Sequence, residues 1–320
     1  LGKNTNTIYE EFENYIKIGG FPGTLNYNSI EDQQLYVKNV LNDIFEKDIK
    51  QNSKIKNREM FENVEKFIIN NFGSEISINS IVKYYESINI NIDYRTVEKY
   101  IDNLINAKIL YPCENFDIKS KQILEGEKKY YLADLSIYFA LNTDNRVNYG
   151  PVLENILHNY LISKGYKLSV GKIGLLEVDF IARKGNENYY YLQVSKNIND
   201  EKTSEREYKP FYEIKDLYPR YLFILDLVIN ENVNGIKNFS NEYVWSPFTW
   251  LRKLASVQLP TIQLSLLYSY QIQYLLPLKY YKELLIDSIY RVVIIYYEFF
   301  SLQSFDNNLL LYSNNQNKIE

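Results

Sequence analysis

The chain of 320 residues holds a single cysteine, Cys113, and a single histidine, His158. One thiol excludes an internal disulfide and any zinc site built from several thiolates. One imidazole excludes a histidine-cluster metal site within the chain. Both suit a reducing compartment, and a cytoplasmic protein is expected. Excess positive charge is also missing: 36 Lys and Arg against 40 Asp and Glu give a formal net charge of −4. The whole molecule is therefore no general polyanion binder, and any contact with nucleic acid has to come from a local basic patch. The opening LGKNTNTIYEEFENY has neither the apolar core of a signal peptide nor an initiator Met, so the chain is expected to begin inside a longer protein. What is present is 46% hydrophobic and 24% charged. That composition supports folded cores, over a length suited to two domains.

Hydrophobic pattern divides the chain into four segments. Residues 1–55 read as helices around a turn. The turn is IGGFPG at 18–23, where glycines and a proline stand together. After it, Leu35, Val37, Val40, Leu41, Ile44 and Phe45 recur near a helical period. Residues 56–147 open on a helix stripe of Phe61, Val64, Phe67, Ile68 and Phe72, ended by Gly73. Ser77 and Asp93 are placed to cap two more helices, the second running from Tyr94 to Asn106. KILYPCENF and KKYYLAD then read as strands joined by a lysine-containing loop, and three helices followed by a β-hairpin is the layout of a winged helix-turn-helix.

Residues 148–243 change character. GPVLENILHNYLISKGY reads as a helix ended by Gly165. YKLSVGKI, LLEVDFIAR and NYYYLQVSK read as strands, EREYKPFYEIKDLYP as a helix closed by Pro219, and YLFILDL as a buried strand. Helix, three strands, helix, strand argues for an α/β sandwich around a mixed sheet, so the expected fold class is mixed α/β. Residues 244–320 fit none of this and are read as an irregular tail. Their stretch 255–278 carries no charge, but its glutamines, with Pro260 and Pro277, disfavour a membrane span. No membrane contact is expected.

Two constellations could carry function. On the second capped helix, Arg95, Lys99, Asn103 and Asn106 suit phosphate and base-edge contacts in a major groove. The wing adds Lys119, Lys121, Lys128 and Lys129. Glu98 and Asp102 on the same helix make the face mixed in sign, and protein docking competes with DNA binding there.

The other constellation concerns phosphodiester cleavage. Mg²⁺-dependent cutting needs hard oxygen ligands for the ion and a positive group to activate water. A compact solution puts an acid on one strand, then a second acid and a lysine two positions apart on the next. Here Glu177 and Asp179 share one strand face, and Val178 and Phe180 are expected to point together into the core. Gln193 and Ser195 share a face of the following strand. Glu154, on the preceding helix, could add a third carboxylate. Gln193 is neutral where a carboxylate is wanted, Ser195 stands where the lysine is wanted, and Lys196 is one residue late, on the opposite face of a regular strand. The alternative is that Glu177 and Asp179 are strand-end residues paired with Lys or Arg. His158, four residues after Glu154, lies on the same helix face. No phosphate loop is present. Gly171–Lys172 is followed by Ile173 rather than Ser or Thr, and Gly165 is one residue too far upstream, so the chain alone is not expected to bind ATP.

In this order the segments resemble the C-terminal part of a large group of prokaryotic AAA ATPases. FENYIKIGGFPG resembles the end of the ATPase lid, and RTVEKYIDNLINAKILYPCENFD with KKYYLADLSIYFAL resembles the family's winged helix. YGPVLENILHNYLISKGYKLSVGKIGLLEVDFIARK and YYYLQVSKNINDEKTSEREYKPFYEIKDLYPRYLFILD resemble its C-terminal domain. That domain is similar to archaeal Holliday-junction resolvases and so to the PD-(D/E)XK, restriction-endonuclease-like fold. The resemblance implies Glu154 as the helix acid and Asp179 as the central metal ligand, with Gln193 and Ser195 at the positions of the second acid and the lysine. Two of those positions depart from the nuclease pattern. The expected function is therefore a DNA- or protein-binding region accessory to an ATPase domain, with an inactive nuclease-like site. The rival is a Mg²⁺-dependent nuclease using Glu154, Glu177 and Asp179, and a third possibility is a decayed gene product.

Overall fold

The computed structural model describes residues 5–53, 55–142, 147–185, 189–226 and 232–239, and the expectations about the tail at 244–320 fall outside them. The chain is mixed α/β. It opens with α1 (Thr5–Ile18), a 3-10 turn (Pro22–Asn26) and α2 (Ile30–Ile44), which continues through a π turn (Phe45–Ile49) into α3 (Lys50–Ser53). Then come α4 (Arg58–Asn70), the short β1 (Glu75–Ile76), α5 (Ile78–Ser87), α6 (Tyr94–Asn106), the hairpin β2 (Leu110–Asp117) and β3 (Gln122–Leu132), and α7 (Ser136–Leu141). Last are α8 (Tyr149–Ser163), β4 (Lys167–Ile173), β5 (Leu176–Arg183), β6 (Tyr190–Ser195), α9 (Glu201–Glu213), β7 (Arg220–Ile224), β8 (Asn232–Val233) and β9 (Ile236–Phe239).

Helix starts follow the side chains that can satisfy orphan N–H groups. Ser77 Oγ accepts from the Ser80 N–H at 3.1 Å and Asp93 Oδ1 from the Thr96 N–H at 3.1 Å, as their positions in the sequence suggested. Gly73 and Gly165 hold φ of +73° and +80°, the left-handed geometry that stops a helix with no Cβ penalty. The helix α9 ends at Glu213, well ahead of Pro219. Ile214 turns extended and is buried, and Arg220 Nη2 donates to its carbonyl at 3.1 Å.

Among the described residues, nine strands form one sheet in the order β1-β3-β2-β4-β5-β6-β7-β9-β8. Its central joint is parallel pairing of β2 with β4, Asn115 opposite Val170 through Asp117 opposite Lys172. The hairpin that follows α6 therefore continues directly into the strands that follow α8. The core is correspondingly continuous: Phe61, Leu104, Tyr131, Leu157, Phe180 and Phe223 belong to one buried cluster. A second cluster, with Val178, Ile181, Phe211 and Leu222, packs on the α9 face.

One expectation about β5 needs correction. Val178 and Phe180 do not point the same way: Val178 joins Ile181 in the α9-face cluster, whereas Phe180 joins Ala182 and packs against Tyr131. The cause is a β-bulge. Ser169 pairs with Ile181 and Gly171 with Val178, so Val170 alone opposes both Asp179 and Phe180.

Candidate functional site

Where β2–β3, α8 and β5 meet, three carboxylates and two ammonium groups form one network. Lys129 Nζ lies 2.6 Å from Glu177 Oε1 and 3.0 Å from Glu154 Oε2. Lys172 Nζ lies 2.6 Å from Glu177 Oε2 and 2.8 Å from Glu75 Oε1. Asn115 Nδ2 donates to Glu75 Oε1 at 2.6 Å, and the Tyr131 hydroxyl donates to Glu154 Oε2 at 2.9 Å. Lys129 is the enclosed member, its side chain 6% exposed against 30% for Glu177. Each element delivers its residue for a simple reason. Glu75 and Lys129 are opposite each other across the β1–β3 pair, Lys172 and Glu177 across the β4–β5 pair, and Glu154 sits on the inner face of α8.

Asp179 lies beside these groups and, among the described residues, joins no ion pair. Its Oδ2 accepts from the Val194 N–H at 2.8 Å, and its own N–H donates to Gln193 Oε1 at 3.1 Å. Burial, and then the charge of Glu154, push its carboxyl well above the usual carboxylate range, against the pull of Lys129. Burial likewise raises Glu154, with Lys129 and Tyr131 opposing. Glu177 is held low: burial would raise it, but the two lysines outweigh that. Lys129 moves up although burial opposes its charge, because Glu154, Asp179 and Glu177 surround it. The centre already holds its own cation.

The remaining positions do not converge on these carboxylates. Gln193 Nε2 donates at 2.9 Å to Glu207 Oε2 on α9, a buried acid that also pairs with Arg206. Ser195 Oγ donates to the Asn197 carbonyl at 2.8 Å. Lys196 Nζ lies 4.1 Å over the Tyr149 ring. His158 stacks on Tyr131 at 4.5 Å between centroids, and its Nδ1 is 3.0 Å from Asn159 Oδ1. Burial drops its pKa to about 4. Among the described residues, no group of three or more His, Cys, Asp or Glu side chains is arranged to hold a metal ion. With two ammonium groups between the carboxylates, this donor set does not fit a divalent cation.

The basic face is also smaller than the sequence suggested. Arg95, Lys99 and Asn106 on α6, and Lys119 and Lys121 at the hairpin tip, are exposed. Asn103 is not: it is buried against α3, where Ser53 Oγ donates to its Oδ1. Lys129 belongs to the carboxylate network, and Lys128 pairs with Glu114 at 3.1 Å. The exposed Glu98 and Asp102 share α6 with the two exposed cations. Sequence reasoning missed Glu75, Lys172 and Glu207 as partners. Only Glu207, next to Tyr208 and four residues before Phe211 on the apolar side of α9, carried a signal that could have been read.

A family model described as a domain of unknown function (DUF8612) matches residues 9–147. That stretch ends between α7 and α8, so it includes the β2–β3 hairpin and none of the strands β4–β9. The chain is 30% identical over 234 residues to an uncharacterized protein of Haemophilus influenzae, covering 72% of this chain and 56% of that one. It is also 30% identical over 208 residues to an uncharacterized protein of Methanocaldococcus jannaschii, covering 63% of this chain and 46% of that one. The chain thus spans about half the length of the curated relatives it matches. No solved structure matches. Among the described residues, no helix is long and apolar enough to cross a membrane.

Proposed function

We propose that this chain is a binding region rather than an enzyme, an accessory part of a larger ATPase of the prokaryotic AAA type, and that its nuclease-like centre serves as a structural joint. The observation that carries this is Lys129. Its ammonium is held at 2.6 and 3.0 Å by Glu177 and Glu154, two of the carboxylates a catalytic metal would use. A lysine on β3 that binds acids on α8 and β5 fastens the hairpin to the rest of the sheet. A divalent ion would have to displace it against two short ion pairs. The same acids cannot both clamp the hairpin and present open oxygen ligands.

The binding surface in this reading is the winged-helix face: Arg95, Lys99 and Asn106 on α6 with Lys119 and Lys121 at the wing tip, all exposed. DNA is the partner we assign to it, held through phosphates, with little sequence readout because Glu98 and Asp102 dilute the face. Four cations set an upper bound of about four neutralised phosphates and a modest salt slope. The test is a gel shift with duplex DNA at two salt concentrations, comparing the wild type with Arg95→Ala/Lys99→Ala. The expected result is a shift at low salt that weakens in the variant and at higher salt. No shift at low salt would remove DNA and leave a protein partner for this face.

A further inference from the structure

The end of β3 is gripped from two sides. From α8, Asn155, fully buried, accepts from the Leu132 N–H at 2.7 Å and donates to the Leu132 carbonyl at 2.9 Å. Asn159 Nδ2 donates to the carbonyls of Leu132 at 2.9 Å and Ala133 at 3.1 Å. With Glu154 on Tyr131 and Lys129, and His158 stacked on Tyr131, one helix face grips β3 and its end from residue 129 to residue 133. Four side chains on two successive turns, in pairs that share Tyr131 and the Leu132 carbonyl, cannot slide along the strand without losing several contacts together.

From the other side comes the N-terminal turn. Asp134 Oδ2 accepts from the Gly20 N–H at 2.7 Å, while its Oδ1 accepts from the Ser136 N–H at 2.9 Å and Oγ at 2.6 Å. Gly19 holds φ of +70°, and a Cβ there would lie 1.9 Å from Asp134 Oδ1 and 2.7 Å from the Ser136 nitrogen. Gly19, the first of the three glycines of IGGFPG, is therefore needed so that backbone can close on this carboxylate.

We propose that residues 132–134 are a coupling element, holding the N-terminal turn and α8 in one register so that a displacement of α1 is passed to the Glu154–Lys129 pair. Asp134 follows directly on the carbonyls that Asn155 and Asn159 hold, so a turn that stays bonded to Asp134 cannot move while α8 keeps its grip unless that short segment yields. Packed elements with discrete bonded partners respond in this way by switching arrangement rather than by gradual strain. The inference rests on this geometry alone and stands whatever the α6 face binds.

Hydrogen exchange on the whole chain, followed by mass spectrometry, tests it. Gly19→Ala and the milder Ser136→Ala loosen the turn. The expected result is about fivefold faster exchange in α8 and at Leu132, the factor for one lost buried hydrogen bond, with α5 unchanged. Coupling is reciprocal, so Asn159→Ala should speed exchange at Gly19 and Gly20. Acceleration confined to residues 5–26 and 134–141, or equal acceleration in α5, would overturn the proposal. If Gly19→Ala does not fold, Ser136→Ala and Asn159→Ala decide.

Discussion

Lys129→Met isolates the energetic core of the joint. The substitution keeps the length and apolar body of the side chain and deletes the ammonium. Glu177 would keep Lys172 at 2.6 Å, but Glu154, with its side chain 14% exposed, would keep only the Tyr131 hydroxyl. Removing one partner of an enclosed ion pair costs about 3–5 kcal/mol, because the other charge stays behind in a poor solvent. Against a typical domain stability of about 5–15 kcal/mol, that is a large fraction. Glu154→Gln in the same chain removes the charge that needs a partner, so the double variant should recover at least about 2 kcal/mol of the loss. The sign with pH also follows. Glu154 is already raised by burial, and without Lys129 its charged form is the penalty, so the cost should shrink as acidification protonates it. Urea unfolding at pH 7 and pH 5 on the two singles and the double measures all of this. Asp43→Asn, which breaks the exposed Asp43–Lys47 pair at 2.6 Å, should leave the midpoint in place. A Lys129→Met chain within about 1 kcal/mol of wild type, or strictly additive singles, would refute the reasoning.

Gln193→Glu restores an acid where a nuclease would carry one. It should destabilise the chain by about 2–4 kcal/mol at neutral pH, because the new carboxylate would replace the amide that donates to Glu207 at 2.9 Å. A melting temperature unchanged from wild type would sink that claim. His158 is held neutral, its pKa lowered by burial from 6.5 to about 4. Its contribution is therefore present above about pH 6.5 and lost as pH falls toward 4, about 3 kcal/mol in all. Urea midpoints between pH 7 and pH 4.5 should show this slope, and His158→Gln should flatten it. An unchanged slope would show that other groups carry the acid lability.

What the sequence made legible is what local chemistry determines. IGGFPG announces a turn whatever surrounds it, and Ser77 and Asp93 announce helix starts because the side chain and the N–H it satisfies are three residues apart. The acid pair Glu177 and Asp179 was visible for the same reason, two residues on one strand. What could not be read depends on long-range pairing. Lys129 looks like one more lysine of a solvated wing until β2 is known to pair with β4, which brings β3 against α8 and buries the ammonium. Glu75 sits in a strand of two residues, too short to leave a pattern. The bulge at Asp179 and Phe180 is a property of the β4–β5 register, and no residue in LLEVDFIAR demands it. The neutral amide at Gln193 looked like a loss. Beside Glu207 it accepts from Asp179 and donates to α9 at the same time.

Either Glu154 and Glu177 are engaged by lysine and Asp179 by the Val194 N–H, or the three carboxylates are open to a catalytic ion. The most direct measurement is incubation of the purified chain with branched and linear DNA in Mg²⁺ or Mn²⁺, wild type beside Asp179→Ala. We predict no metal-dependent cutting by either protein. Cutting by the wild type that disappears in Asp179→Ala would contradict the account.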